Sequence, residues 1–208
     1  MSALFLKRFL RNPFQVASIV PSSKALIRRV AAKLDYSGPR VIAEYGPGEG
    51  CHTREIVRRM HPESSLLLFE LDAALCVHLQ KQFADDKRIS VHNLDCARLP
   101  DVLAEKGLTH CDYIVSGIPF SILEKEKKRE ILTNTHAVLR AEPHAAFVIY
   151  QVTNELRTRG HCDHFAHAES EWCFINLPPM FVTKFFKHAN GRAKNGTNGH
   201  RVNGNGAH

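Results

Sequence analysis

The chain has no CxxC pair, no apolar run near the length of a membrane span, and a single tryptophan, Trp172. Each absence narrows the field. Six cysteines (51, 76, 96, 111, 162 and 173) stand singly among 208 residues, which fits neither a disulfide framework nor a zinc site and reads as reduced, mostly buried thiols. The longest apolar stretches, "SLLLF" and "AAFVIY", fall far short of the roughly 18 residues a spanning helix needs. The first residues lack the continuous apolar segment and small-residue cleavage site of a secretion signal, so a cytoplasmic protein is expected. With 44% hydrophobic and 24% charged residues, the composition is that of one ordinary globular domain.

Acid is also missing where base is dense. Residues 1–33 hold seven Lys or Arg and no Asp or Glu; from His188 onward there are three more and again no acid. The net charge of +7 therefore leaves the 154 residues between at −3. An anionic partner is expected to meet the ends, not the body. The opening "SALFLKRFLRN" stops before Pro13, a helix boundary. At helical spacing Phe5, Leu6, Phe9 and Leu10 share one side, and Lys7, Arg8 and Arg11 the other, with Leu4 on the basic side as the exception. Such a helix suits a membrane surface or docking on the protein's own core. A second helix is expected from Ser23 to Leu34, with Ser22 or Ser23 as N-cap. The end, residues 188–208, has five Gly, five Asn and a single Val, too little apolar surface to offset the entropy of ordering it.

Between the ends the chain alternates. "RVIAEY", "SLLLFEL", "RISVHNL", "CDYIVSG" and "HAAFVIYQV" read as strands, and residues 52–60, 73–84 and 124–139 as helices, with Leu75, Leu79, Phe83, Ile131, Leu132 and Leu139 at inward positions. That rhythm implies βαβ units and a parallel sheet. After residue 165 it changes: "EWCFINL" and "MFVTKFF", joined by a proline turn, read as a closing antiparallel pair.

The first strand runs into "EYGPGEG", with Gly46, Gly48 and Gly50 in five positions and Glu44 ahead of them. A P-loop is excluded because no Gly-Lys-Ser/Thr follows. The dinucleotide pattern fails because Cys51 stands where its third glycine belongs. Glu44 and Glu49 flank the turn where a phosphate would be repelled, so a ligand with positive charge is expected, and S-adenosylmethionine carries a sulfonium and an ammonium. Glu44 could accept from that ammonium, while Gly46 and Gly48 let backbone approach the ligand. Glu70, twenty residues beyond Gly50, is placed for the ribose hydroxyls, and Asp95 for the adenine amino group.

"EYGPGEG", "FELD", "NLDCARL" and "YIVSGIPF" resemble the successive motifs of class I S-adenosylmethionine-dependent methyltransferases. The resemblance implies an α/β Rossmann-like fold: a mostly parallel seven-stranded sheet with a C-terminal antiparallel hairpin and helices on both faces. It adds Tyr45, Leu71, Cys96 and Ser116 to the cofactor-binding set of Glu44, Gly46, Gly48, Glu70 and Asp95. Residues 1–38 are then amphipathic and lid helices, 39–187 the methyltransferase domain and 188–208 a disordered tail. Ribosomal RNA adenine dimethylases share the first two motifs but carry Asn-Leu/Ile-Pro-Phe/Tyr after the fourth strand, where this chain has Ser116-Gly117-Ile118-Pro119-Phe120. The bacterial phospholipid N-methyltransferases are similar over more of the chain, in "NPFQVASIVPSSKAL", "VSGIPF" and "WCFINLPPMFV". The latter resemblance implies methylation of an amino-phospholipid such as phosphatidylethanolamine by a peripheral enzyme that meets the anionic inner membrane surface through residues 2–11, without a stable nucleic-acid partner. RNA is the acceptor in the alternative reading.

For the acceptor, Ser116, Pro119, Phe120 and Tyr150 are the expected pocket residues: Ser116 orients an amine, Pro119 and Phe120 wall it, and Tyr150 lines it or relays a proton. Phe120 would face a methylated ammonium. No metal is expected: His161, His164 and His167 drift around a helix instead of converging, and Arg157 and Arg159 offer a phosphate-facing loop as an alternative to a solvated one.

Overall fold

The computed structural model describes residues 22–154, 156, 165–176 and 178–187. The expected helix over residues 1–11, the tail from residue 188, and Arg157, Arg159, His161 and His164 lie outside the described residues. Along the chain come α1 (Lys24–Ala31), β1 (Val41–Tyr45), α2 (Cys51–Arg59), β2 (Ser65–Phe69), α3 (Ala73–Gln82), β3 (Ile89–His92), α4 (Leu99–Glu105), β4 (Tyr113–Ser116), α5 (Lys125–Val138), β5 (Ala146–Gln151), β6 (His167–Cys173) and β7 (Met180–Phe186).

The strands form one seven-stranded sheet in the order β3-β2-β1-β4-β5-β7-β6. β1 to β5 pair in parallel, and β7 inserts antiparallel between β5 and β6. After β3 the chain crosses back to lay β4 on the far side of β1, which opens a crevice beyond the carboxyl ends of β1 and β4. The ladder runs to the very edge: Gly46 N–H donates to the Phe69 carbonyl (2.9 Å), Gly117 N–H to the Tyr45 carbonyl (3.0 Å) and Glu70 N–H to the His92 carbonyl (3.1 Å). The turns after β1, β2, β3 and β4 therefore start level with one another.

Alternation along the strands divides the core between the two sheet faces. Ile42, Leu66, Leu68, Val115 and Val148 pack under Leu26 of α1, Ile56 of α2 and Leu79 of α3. Ala43, Leu67, Phe69, Ile114 and Phe147 pack under Val102 of α4 and Ile131 and Leu132 of α5. α1 starts where its sequence asks: the Ser23 hydroxyl accepts from Leu26 N–H at 3.1 Å. It ends at Ala31, three residues short of the expected Leu34.

Two further departures have local causes. α4 was not legible in the sequence, because its seven residues are too few to show a period; it opens on Leu99-Pro100, with proline in the first turn. The strand expected over residues 171–177 instead spans His167–Cys173, and Phe174, Ile175 and Asn176 form the turn. The apolar run misled, since Phe174 and Ile175 point to solvent.

Gly50 has φ of +76° and precedes α2 without a side-chain cap. A Cβ there would sit 3.0 Å from Leu79 Cδ2 of α3. Gly107 also has positive φ, at +66°, but nothing within 4 Å. Gly107→Ala should cost about 1 kcal/mol, the left-handed penalty alone, whereas Gly50→Ala should cost about 2–4 kcal/mol because overpacking adds to it. Urea unfolding midpoints of the two variants measure the difference.

Candidate functional site

Glu44 is the penultimate residue of β1 and is fully buried. Its Oε2 accepts from the Thr53 hydroxyl of α2 at 2.7 Å, and its Oε1 has no hydrogen-bond partner. Burial raises its carboxyl to about pH 7, with the Thr53 bond pulling the other way and Glu70 adding repulsion. A buried carboxyl with one unanswered oxygen at a crevice is what a cationic ligand would complete. At Gly48, φ is +57° and an added Cβ would meet nothing within 4 Å, so the space its missing side chain leaves is open. Both observations fit S-adenosylmethionine.

Glu70 follows β2 and bridges to the glycine turn: its Oε2 accepts from Gly48 N–H (3.1 Å) and its Oε1 from Asp72 N–H (3.0 Å). Leu71 beside it is among the most exposed apolar side chains, at 72%. Asp95, after β3, acts as an N-cap, accepting from Ala97 N–H at 2.9 Å, and pairs with Lys127 at 2.7 Å. Its carboxylate is thus engaged on both oxygens, with lone pairs remaining. Cys96 is buried and its thiol is pushed up to about 12 by desolvation. The Tyr45 ring turns away into the core, its hydroxyl bonded to Thr135 at 3.1 Å, leaving its backbone at the crevice edge. Glu49 is exposed on the turn.

The expected acceptor residues divide. Ser116 is buried, and its hydroxyl accepts from Ile118 N–H at 3.2 Å. Pro119 is half-buried, leading into a short 3-10 turn. Phe120 is wholly buried and meets Phe147 edge-on at 6.1 Å, so its ring backs the turn and does not face an acceptor. Tyr150 stacks on His52 of α2, centroids 4.2 Å apart. Its hydroxyl stands where a Cβ on Gly117 would go, which makes glycine necessary at 117. Burial raises the Tyr150 phenol well above its ordinary value, so it stays protonated. The two turns touch: a Cβ on Gly46 would lie 3.3 Å from Ile118 Cγ1, and one on Gly117 3.2 Å from the Gly46 carbonyl. His167 is in β6, 3.6 Å from Glu169; among the described residues no His, Cys, Asp and Glu cluster has metal-ligand geometry.

Three residues escaped the sequence reading. Thr53 holds Glu44. His52 is buried, its Nε2 2.9 Å from the Ser22 hydroxyl and its Nδ1 unpartnered; burial pulls it down to about pH 4. Gln151 ends β5 with 6% exposure; its Nε2 donates to the Ile118 carbonyl at 3.0 Å while its Oε1 has no partner. The "CHT" that follows the glycines was the available signal for the first two. Nothing local marks Gln151, which matters because β5 lies beside β4.

These shifts set opposite pH dependences. The fold favours neutral Glu44, so its contribution is complete below about pH 4.5 and lost as pH rises through about 7. The fold favours neutral His52, so its contribution is complete above about 6.5 and lost as pH falls through about 4. Glu44→Gln should therefore raise stability at pH 8 relative to pH 5 by roughly 2–3 kcal/mol compared with the parent protein, whatever its absolute cost. Chemical denaturation across that range measures the slope.

Comparison with known proteins agrees with this geometry. The family model for ribosomal RNA adenine dimethylases matches residues 5–125. An ornithine lipid N-methyltransferase from Singulisphaera acidiphila is 31% identical over 65% of this chain and 71% of its own length. Among solved structures, a precorrin-6y C5,15-methyltransferase from Geobacter metallireducens superposes with a TM-score of 0.61 at 14% identity, covering 80% of this chain and 89% of that one. Human methyltransferase-like protein 13 in complex with SAH gives 0.59 at 16% identity, covering 79% and 82%. The chain belongs to the ribosomal RNA adenine dimethylase family and is a class I methyltransferase that uses S-adenosylmethionine.

Proposed function

We propose that the protein methylates the amine head group of a membrane phospholipid, phosphatidylethanolamine or its methylated forms. Residue 117 carries this reading. The Asn-Leu/Ile-Pro-Phe/Tyr of adenine dimethylases aligns with Gly117-Ile118-Pro119-Phe120, so glycine stands where their asparagine receives the adenine amine, and the Tyr150 hydroxyl fills the space a side chain there would need. The similarity to an ornithine lipid N-methyltransferase supports the same class of acceptor, an amine on a lipid.

S-adenosylmethionine, when bound, supplies an electrophilic methyl on a sulfonium. Glu44 Oε1 would accept from its ammonium, Glu70 from the ribose hydroxyls, and Asp95 from the adenine amino group through a remaining lone pair. Leu71 would offer the adenine an apolar face, and Tyr45, Gly46 and Gly48 would line the path with backbone. An acceptor amine must be neutral before its nitrogen attacks in line, and a partly desolvated site favours that form. The Tyr150 phenol stays protonated and can donate a hydrogen bond but not remove a proton, so the proton leaves to water. Gln151 Oε1, unanswered beside the Ile118 carbonyl, is placed to orient the amine. Residues 2–11, as a basic amphipathic helix, would bring the enzyme to an anionic leaflet, each cation contributing roughly 1 kcal/mol.

Incubation with labelled S-adenosylmethionine and a mixture of aminophospholipid vesicles and unmodified ribosomal RNA separates the readings. Label is expected in lipid; label in RNA alone would establish adenine methylation instead. Glu70→Ala should weaken cofactor binding at least tenfold, since charged-acceptor hydrogen bonds are each worth about 1.5–3 kcal/mol. Calorimetry showing unchanged affinity would remove Glu70 from the ribose site.

A further inference from the structure

Among the described residues, seven large apolar side chains are exposed: Leu71, Val77, Leu94, Ile122, Trp172, Phe174 and Ile175. All but Val77 of α3 lie at or beyond the carboxyl ends of strands, the edge that carries the glycine turn. Apolar exposure concentrated on one edge marks an interaction surface. Its densest part is the turn between β6 and β7. Phe174 and Ile175 are 72% and 76% exposed, and Trp172 is 43% exposed. The Trp172 ring lies between Phe174, at 5.4 Å and nearly parallel, and Phe181, at 3.6 Å.

The tip is built to hold that exposure. Asn176 is buried and braces the turn from inside: its Nδ2 donates to the Pro178 carbonyl at 3.0 Å, and its Oδ1 accepts from Ser23 N–H at 2.9 Å. Ser23 caps α1, so that helix starts beside the tip. α1 holds Lys24, Arg28 and Arg29 and no acid. Arg29 donates to the Trp172 carbonyl at 2.8 Å and, with Lys33, meets Glu171. Lys24 and Arg28 are exposed, and neither pairs with an acid among the described residues. Strand register sets the position relative to the site: Phe181 pairs with Gln151 on one side and with Trp172 on the other. The aromatic tip therefore projects from the same rim as the Gln151 amide.

We propose that the β6–β7 tip is a lipid-docking element, with Phe174 and Ile175 entering the acyl region, Trp172 at the headgroup level and Lys24 and Arg28 against anionic lipid. Trp and cation placement of this kind matches the boundary between apolar and charged layers. A second copy is a poorer occupant, because symmetry would set its own basic α1 against this one. The docking aims the carboxyl edge at the leaflet, so an amine head group enters without leaving the membrane. The inference rests on the lipid reading and adds a second contact to residues 2–11.

The test uses the full chain and vesicles of phosphatidylethanolamine with phosphatidylglycerol. Trp172 is the single tryptophan and reports directly. Its emission should shift to the blue on vesicle addition and be quenched by brominated acyl chains. Phe174→Ser/Ile175→Ser should lower vesicle partitioning at least tenfold, while cofactor affinity and methylation of a monodisperse short-chain acceptor stay unchanged. Unchanged emission with unchanged partitioning of the variant overturns the docking element, even if lipid is methylated. A changed oligomeric mass or melting temperature with unchanged partitioning also overturns it, assigning the tip to a second copy or to the chain's own segments. Failure to label lipid in either dispersed or vesicle form sinks the lipid reading instead, and leaves the partitioning result to stand by itself.

Discussion

The carboxyl edge of the sheet is organised around one bond, from the Thr53 hydroxyl to the buried Glu44 carboxyl. It ties the first turn of α2 to the end of β1 and fixes which carboxyl oxygen is left unanswered. Without a cation, a carboxyl so deeply placed is held partly neutral, near pH 7. Arrival of a positive ligand reverses that balance, since a charge close by favours the ionised form. The site therefore holds an electrostatic demand that a cationic cofactor would meet. The glycine turn allows this because three left-handed residues carry the chain from β1 into α2 without side chains over the crevice.

The turns after β1 and β4 are one packed unit. Gly46 and Gly117 bring the turns after β1 and β4 into contact, and Ile118 is held on both sides, its N–H by Ser116 and its carbonyl by Gln151. Tyr150 fills the space a side chain at 117 would need and stacks on His52, which itself reaches Ser22 ahead of α1. A shift in any one of these turns would be felt by the others, because they meet at van der Waals distance. That coupling suits a reaction whose catalysis is mainly positioning.

Much of the fold was legible because a parallel sheet buried on both faces writes long apolar strands separated by helices. The boundaries of β1 to β5 lie within two or three residues of expectation for that reason. The exceptions are instructive. "EWCFINL" looks like a buried strand, yet Phe174 and Ile175 face outward, because the chain turns there and Asn176 takes the inside position. Asp95 reads as a ligand contact and serves first as an N-cap and an ion-pair partner, since a short acid before a helix meets the nearest unpaired N–H. Phe120 reads as a pocket wall and lies behind it, because the 3-10 turn rotates its ring onto Phe147.

The sequence by itself determined the methyl donor. Glu44, the three glycines, Cys51 where a dinucleotide turn needs its third glycine, and Glu70 are local in the chain, and their spacing after two strands leaves little freedom in what they can hold. Tertiary structure decided what surrounds those motifs. Thr53 meets Glu44, His52 meets Tyr150 and Gln151 meets Ile118 because β5 is laid beside β4 and α2 packs across β1, relations that no spacing along the chain encodes. The exposed edge of Leu71, Ile122, Trp172 and Phe174 was likewise invisible, since burial of an apolar residue is settled by what the completed sheet places above it.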